Sequence, residues 1–169
     1  TSLAQQGRMR QASGMDAHTQ SAALDALAAH FNGMPPVAGM QPQILGWQDS
    51  KLRLRAPLAA NINDKGCAFG GSLVSLMTIA AWGLVALELD GAGLHADIFV
   101  ADSRVRYLKP VFEDIVVEAV FDDASEHAQL VDKLRKQGRV SIRLKASTLL
   151  QDGGVAATFV GRYVAIAKA

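Results

Sequence analysis

The sequence predicts an α+β fold in which about five antiparallel strands curl round one buried helix. Residues 71–89 are apolar on nearly every side, which is typical of a helix that is buried round its whole circumference. Several other segments alternate apolar and polar residues, most clearly 139–150, and such alternation predicts strands with one buried face. A helix without a polar face has to be covered by other elements, and a curled sheet can surround it.

Composition limits the classes of protein that the chain can belong to. It has 169 residues, of which half are apolar and a fifth are charged, and its net charge is +1. We therefore expect one globular domain over 16–169, with no nucleic-acid partner. A single cysteine, Cys67, excludes an intramolecular disulfide and favours a reducing, cytoplasmic location, and we expect no signal peptide.

The apolar segment 71–89 approaches the length of a membrane span. Hydroxyl side chains interrupt it at Ser72, Ser75 and Thr78, and acidic residues close its end at Glu88 and Asp90. We therefore predict a buried core helix and no membrane partner.

Taken in order, the chain begins with residues 1–15, which are polar and without periodicity and predict an N-terminal arm or a remnant of cloning. Residues 16–31 have helical spacing, and Asn32-Gly33 is a stop signal. Residues 34–42 form a proline-containing connector. Residues 43–58 predict one strand, in which leucines and alanine alternate with Lys51, Arg53 and Arg55.

A polar loop over 61–69 leads into Gly70-Gly71-Ser72 and the central helix. Glycines at a helix start allow close approach to the backbone, and the first N–H groups are free to bind negative charge. The loop is a candidate site for a phosphate, a carboxylate or an oxyanion. The alternative is an ordinary loop, in which Asn61, Asn63 and Asp64 only stabilise turns.

After a turn at 90–93, four strands are predicted, over 96–111, 114–123, 139–150 and 155–166. A short helix over 126–137, with Ser125 as its N-cap, separates the second from the third. Gln151-Asp152-Gly153-Gly154 is a hairpin turn.

The loop and helix carry a specific resemblance. The pattern Asn-x-x-Gly-x-x-x-Gly-Gly, formed by Asn63, Gly66, Gly70 and Gly71, resembles the signature of hot-dog acyl-thioester enzymes. Together with Pro57-Leu58, Trp82-Gly83 and 159–163, it resembles the thioesterase domain of the YiiD C-terminal family over about 16–166. The resemblance implies a hot-dog fold, an acyl-CoA or acyl carrier protein thioester as substrate, and a homodimer or dimer of dimers. It implies no metal and no cofactor.

The resemblance also implies roles for single residues. Asn63 matches the residue whose side chain contacts the thioester carbonyl, and Gly71 matches the glycine whose N–H polarises that oxygen. Two positions depart from relatives of the phenylacetyl-CoA thioesterase type, because Thr78 stands where they have Asp and Phe69 where they have His.

The departure at Thr78 bears on the reaction. Hydrolysis needs a nucleophile or a base, and a threonine hydroxyl has no ionised form near neutral pH. Asp64 is the nearest carboxylate in sequence and could replace the base, or it could be a turn residue. Decarboxylation of a malonyl thioester needs only donors for the developing enolate. We therefore favour malonyl-ACP or malonyl-CoA decarboxylation, which the family resemblance also implies, over thioester hydrolysis and over non-catalytic binding.

The remaining candidates surround the helix start. Asn61, Phe69, Gly70 and Ser72 are expected to contact substrate. Arg104 and Arg106 could bind CoA phosphates or an acidic carrier protein, or they could belong to an ordinary solvated strand face. Cys67 has no histidine nearby in sequence and is expected to be a packing residue.

Overall fold

The computed structural model describes residues 16–169, so the predicted arm over 1–15 lies outside the described residues. The helices are α1 (Ala17–Asn32), α2 (Pro35–Met40), α3 (Gly70–Gly91) and α4 (Ala124–Gln137), with a 3-10 turn at Leu58–Ala60. The strands are β1 (Gln43–Gln48), β2 (Lys51–Ala56), β3 (Ala96–Tyr107), β4 (Ile115–Phe121), β5 (Arg139–Leu149) and β6 (Val155–Ala167).

The strands form one antiparallel sheet in the order β1-β2-β4-β5-β6-β3, which confirms the predicted α+β architecture. The sheet has six strands because 43–58 is not one strand. The chain turns back at Asp49 and Ser50, which both adopt positive φ angles, 51° and 56°. Trp47 then pairs with Leu52 in a hairpin. Serine rarely adopts this conformation, so the turn carries no clear sequence signal.

Helix α3 packs on the concave face of the sheet. Leu76, Met77, Ala80, Leu84 and Val85 are each at most 1% exposed. The helix is long and apolar enough to span a membrane by length and composition, but 72% of its most apolar stretch is buried inside the protein.

A close contact with α1 and β2 explains the glycine in the middle of α3. A Cβ atom at Gly83 would lie 2.9 Å from a Leu52 methyl group and 3.2 Å from a Leu27 methyl group. Gly83 therefore allows close packing of α3 against both elements.

One face of α3 is not covered, so the prediction of burial round the whole helix was wrong. Gly71, Val74, Ser75, Thr78 and Trp82 are all half-buried, at the i, i+3, i+4, i+7 and i+11 spacing of one helix face. We call this set the open face. The adjacent strand β3 is an edge strand whose middle residues are exposed. A substrate or a second subunit can therefore reach α3 here.

Two local predictions also need correction. The connector over 34–42 contains α2, which begins with Pro35 at its first turn, a position that proline favours. The N-cap of α4 is Asp123, not Ser125, since the Asp123 carboxylate accepts a hydrogen bond from the Glu126 N–H at 2.9 Å. A carboxylate at this position also interacts favourably with the helix dipole.

Candidate active site

Asn61 fastens the loop that precedes α3. Its side chain is 3% exposed, and its amide nitrogen donates to the carbonyls of Met40 (3.0 Å) and Pro57 (2.8 Å). Its backbone carbonyl accepts the Phe69 N–H at 2.7 Å. The residue therefore links α2, the end of β2 and the start of α3. These contacts hold the backbone and leave the Asn61 amide no free N–H for a substrate.

The Asn63 side chain forms hydrogen bonds within the same loop. Its side-chain oxygen accepts the N–H groups of Lys65 (2.8 Å) and Cys67 (3.1 Å), which closes a turn. Its amide nitrogen donates only to the Cys67 sulfur at 3.3 Å, which is a weak acceptor. The oxygen is therefore committed to the loop, whereas the amide N–H can still serve an incoming oxygen.

The start of α3 presents two backbone donors. Both Ser72 and Leu73 donate to the Phe69 carbonyl, but the N–H groups of Gly70 and Gly71 have no acceptor anywhere in the described chain. Phe69 is the N-cap residue and offers no side-chain cap. These donors lie at the positive end of a 22-residue helix. They can bind an oxyanion.

Two exposed aromatic rings flank these donors. The Phe69 ring, 57% exposed, lies over Gly71, where any Cβ atom would overlap it. Tyr107, at the end of β3, donates its hydroxyl to the Gly70 carbonyl at 3.3 Å, and its ring lies 3.5 Å from where a Cβ atom at Gly70 would stand. Sequence reasoning missed Tyr107 as a site residue. Ser72 is buried within the first turn, away from this surface.

Thr78 lies on the open face, two turns beyond Gly71, and lines a groove of about 430 Å³ between α3 and β3. Its hydroxyl donates to the Val74 carbonyl at 2.7 Å. Its backbone carbonyl accepts the Tyr163 hydroxyl at 2.6 Å, and burial raises the pKa of that hydroxyl. Thr78 therefore offers the groove no group that could remove a proton.

Three carboxylates lie near the helix start, either in sequence or on neighbouring loops. Each of them is bonded to another group. The Asp64 side chain is 81% exposed and pairs with Lys65 at 3.2 Å. Glu113 accepts the Gln151 N–H at 3.0 Å. Asp114 accepts the Leu58 N–H, and this bond, together with Arg55, lowers the pKa of its carboxyl group. None of these groups bonds to Gly70 or Gly71.

The two predicted arginines lie on the edge strand. Both are exposed, and Arg104 pairs with the exposed Val160, so they lie on the face of β3 that points away from α3. Neither forms an ion pair within 16–169, whereas Arg53, Arg55 and Arg162 each pair with a carboxylate. Across the same residues, no group of three histidine, cysteine or acidic side chains is arranged to hold a metal ion.

Solved structures of similar proteins share this architecture. A "putative thioesterase" from Shewanella oneidensis is 31% identical, with a TM-score of 0.76, over 86% of this chain and 99% of that chain. A protein of unknown function from Chlorobaculum tepidum is 26% identical, with a TM-score of 0.81, over 88% of this chain and 97% of that chain. A Pseudomonas aeruginosa protein described as a "probable thioesterase" is 23% identical, with a TM-score of 0.72, over 88% and 95%, and supports the fold alone.

Residues 24–167 match the model of the family described as "Putative thioesterase (yiiD_Cterm)". The match covers most of the chain and includes the loop, the open face of α3 and the edge strand. The chain therefore belongs to the YiiD C-terminal thioesterase family and has the hot-dog fold.

Proposed function

We propose that this protein is an acyl-thioester enzyme whose main reaction is the decarboxylation of malonyl-ACP or malonyl-CoA. One observation carries the proposal: the start of α3 supplies two free N–H donors, while the position where a base would stand on the open face is Thr78, whose hydroxyl donates to Val74. Donors without a base suit a reaction in which negative charge develops on an oxygen and no proton has to be removed.

In the first step, the thioester carbonyl oxygen accepts hydrogen bonds from the Gly70 and Gly71 N–H groups and from the Asn63 amide. The bond between the malonyl carboxylate carbon and the methylene carbon breaks, and carbon dioxide leaves. The electron pair of that bond forms the enolate, whose charge resides on the bound oxygen. The methylene carbon then takes a proton from water, which gives the acetyl thioester.

The aromatic rings beside the donors assist this step. Phe69 and Tyr107 place apolar surface against the helix start. The malonyl carboxylate loses hydration next to such surface, which raises its free energy. Decarboxylation converts it to neutral carbon dioxide and removes that cost.

Arg104 and Arg106 are proposed to bind the carrier of the acyl group. They are free of carboxylate partners within 16–169 and lie on the strand that ends at Tyr107. Unpaired arginines attract the phosphates of CoA and the acidic surface of a carrier protein.

A homodimer completes the site in this proposal. Strand β3 is a twelve-residue edge strand, and its inward side beside the open face is exposed from Val100 to Ser103. Open edges of this length are ready to pair with another strand. A second copy of β3 would cover the open face and supply the missing wall for the acyl group.

Hydrolysis is the second candidate, and the groove favours it. The groove begins at Thr78, about 10 Å beyond Gly71, so the open face leads to apolar surface that a malonyl group does not need. A hydrolase would need Asp64 or a group from the second subunit as the base. A non-catalytic binder would keep the donors and turn over neither substrate.

The rate of acetyl-thioester formation by the wild type and by Asp64→Asn separates these possibilities. Decarboxylation needs no carboxylate, so the variant should form the acetyl thioester at a rate within about threefold of the wild type, well short of the loss expected for a catalytic base. Release of free thiol that stops in Asp64→Asn would contradict the proposal and establish a hydrolase.

A further inference from the structure

The open face of α3 ends at a single large side chain. From Gly71 to Thr78 the half-buried positions of the open face carry small or branched residues, and the next one, Trp82, carries an indole. After Trp82 the same side of the helix continues with Ala86, which is buried.

The Trp82 indole crosses the groove between α3 and β3. Its ring nitrogen donates to the Ile98 carbonyl on β3 at 3.0 Å. The His30 ring of α1 stacks on it, with a centroid distance of 4.6 Å and an interplanar angle of 7°. The indole is therefore held from two sides. Together with Thr78, it lines the groove between the two elements.

The groove beyond Trp82 suits an alkyl chain poorly. Asp90 lines it, as do Asp97 and Lys168, which form an ion pair at 3.4 Å. An apolar chain that reached these groups would remove water from them without replacing its hydrogen bonds, which is unfavourable.

We infer that Trp82 sets the maximum length of acyl chain that this protein binds. The inference rests on the proposed function, because it assumes that the thioester carbonyl binds at the Gly71 N–H and that the chain follows the open face. Position 78 lies seven residues further along the helix, or about 10 Å. Long helical side chains lean towards the N-terminus, so the indole covers the surface over Thr78.

The distance from Gly71 to Thr78 determines how many carbon atoms of an acyl chain can fit. An extended chain advances about 1.2 Å per bond, so about 10 Å holds roughly eight carbon atoms. Saturated chains of up to about eight carbons should therefore bind, and longer chains should meet the indole. A malonyl group occupies only the first part of this path.

Calorimetric binding of acyl-CoA analogues tests the inference. Analogues with a thioether in place of the thioester cannot react, so wild-type binding can be compared for chains of four, eight and twelve carbons. Each methylene that is buried along the open face should raise affinity roughly fourfold, up to about eight carbons. The twelve-carbon analogue should bind the wild type no better than the eight-carbon one.

Removal of the indole should shift this limit. Trp82→Ala should bind the twelve-carbon analogue at least about tenfold more tightly than the wild type does, since additional methylenes become buried. Trp82→Leu gives a second test, should the alanine variant lose its cooperative thermal unfolding. Met34→Ala is the matched control, because Met34 also lines the groove but does not bridge α3 and β3, so the length profile should be unchanged.

The outcomes separate this inference from the proposed reaction. A shifted length limit without decarboxylation of malonyl-CoA would support Trp82 as the limit and refute the reaction. An unchanged profile in both Trp82 variants, with malonyl turnover intact, would overturn the role of Trp82. A shift in Met34→Ala equal to that in Trp82→Ala would also overturn it.

Discussion

Replacement of Thr78 by aspartate gives the two candidate reactions opposite outcomes. Thr78 lies seven residues, or about 10 Å, beyond Gly71 along the helix axis. The malonyl carboxylate extends about 2.5 Å beyond the bound carbonyl carbon, which leaves about 7 Å between the two carboxylates. At an effective dielectric constant of about 20, their repulsion is about 2.4 kcal/mol. This corresponds to roughly a fiftyfold loss in kcat/KM for malonyl turnover.

The assay measures acetyl-thioester formation and thiol release in parallel. Thr78→Asn is the matched control, because it has the same shape as the aspartate variant and carries no charge. Both variants lose the hydrogen bond to Val74, so the difference between them reports the charge alone. Equal malonyl turnover in the two variants would refute the assumed path of the substrate. Faster thioester hydrolysis in Thr78→Asp would refute the decarboxylase proposal.

Further predictions concern the loop, the acid stability and the assembly. Asn61→Ala should lower the free energy of unfolding by about 1 to 3 kcal/mol in denaturant titrations, because it leaves two partly buried carbonyls unpaired. Asn63→Ala should lower kcat about a hundredfold with KM little changed, since the lost donor acts on the developing oxyanion. The Leu58 N–H lowers the pKa of Asp114, so this carboxylate stabilises the fold above its unfolded pKa. The stability difference between the wild type and Asp114→Asn should disappear as the pH falls through the folded pKa. Sedimentation at micromolar concentration should show a dimer or a larger assembly. An active monomer would refute the proposal that a second copy of β3 covers the open face.

Sequence patterns predicted the parts of the fold that have strong periodicity. The alternation over 139–150 and the apolar run over 71–89 correspond to β5 and α3, and the need to bury most of that helix predicted a curled sheet beside it. The hairpin at Asp49 and Ser50 was not predictable, because its turn residues adopt positive φ angles that they seldom adopt. Periodicity also could not show which face of α3 stays open. That depends on β3 being an edge strand, a property of the whole sheet.

The candidate site was predictable only in outline. The glycines at the helix start indicated free N–H donors, and the structure shows that Gly70 and Gly71 have no acceptor within 16–169. The resemblance assigned the carbonyl contact to Asn63, but sequence could not show that Asn61 is unable to bind substrate, because its bonds to two carbonyls appear only in the structure. Tyr107 and Trp82 reach the site through contacts between distant segments, which have no local sequence signal.

The central claim is that this site stabilises an enolate and lacks a base for hydrolysis. Product analysis by mass spectrometry after incubation of the protein with a malonyl thioester in ¹⁸O-labelled water tests it most directly. Hydrolysis incorporates labelled oxygen into the released acid, whereas decarboxylation leaves the thioester bond intact. We predict acetyl thioester as the main product, with no labelled malonate above the background without protein. Labelled malonate as the main product, released together with free thiol, would contradict the claim.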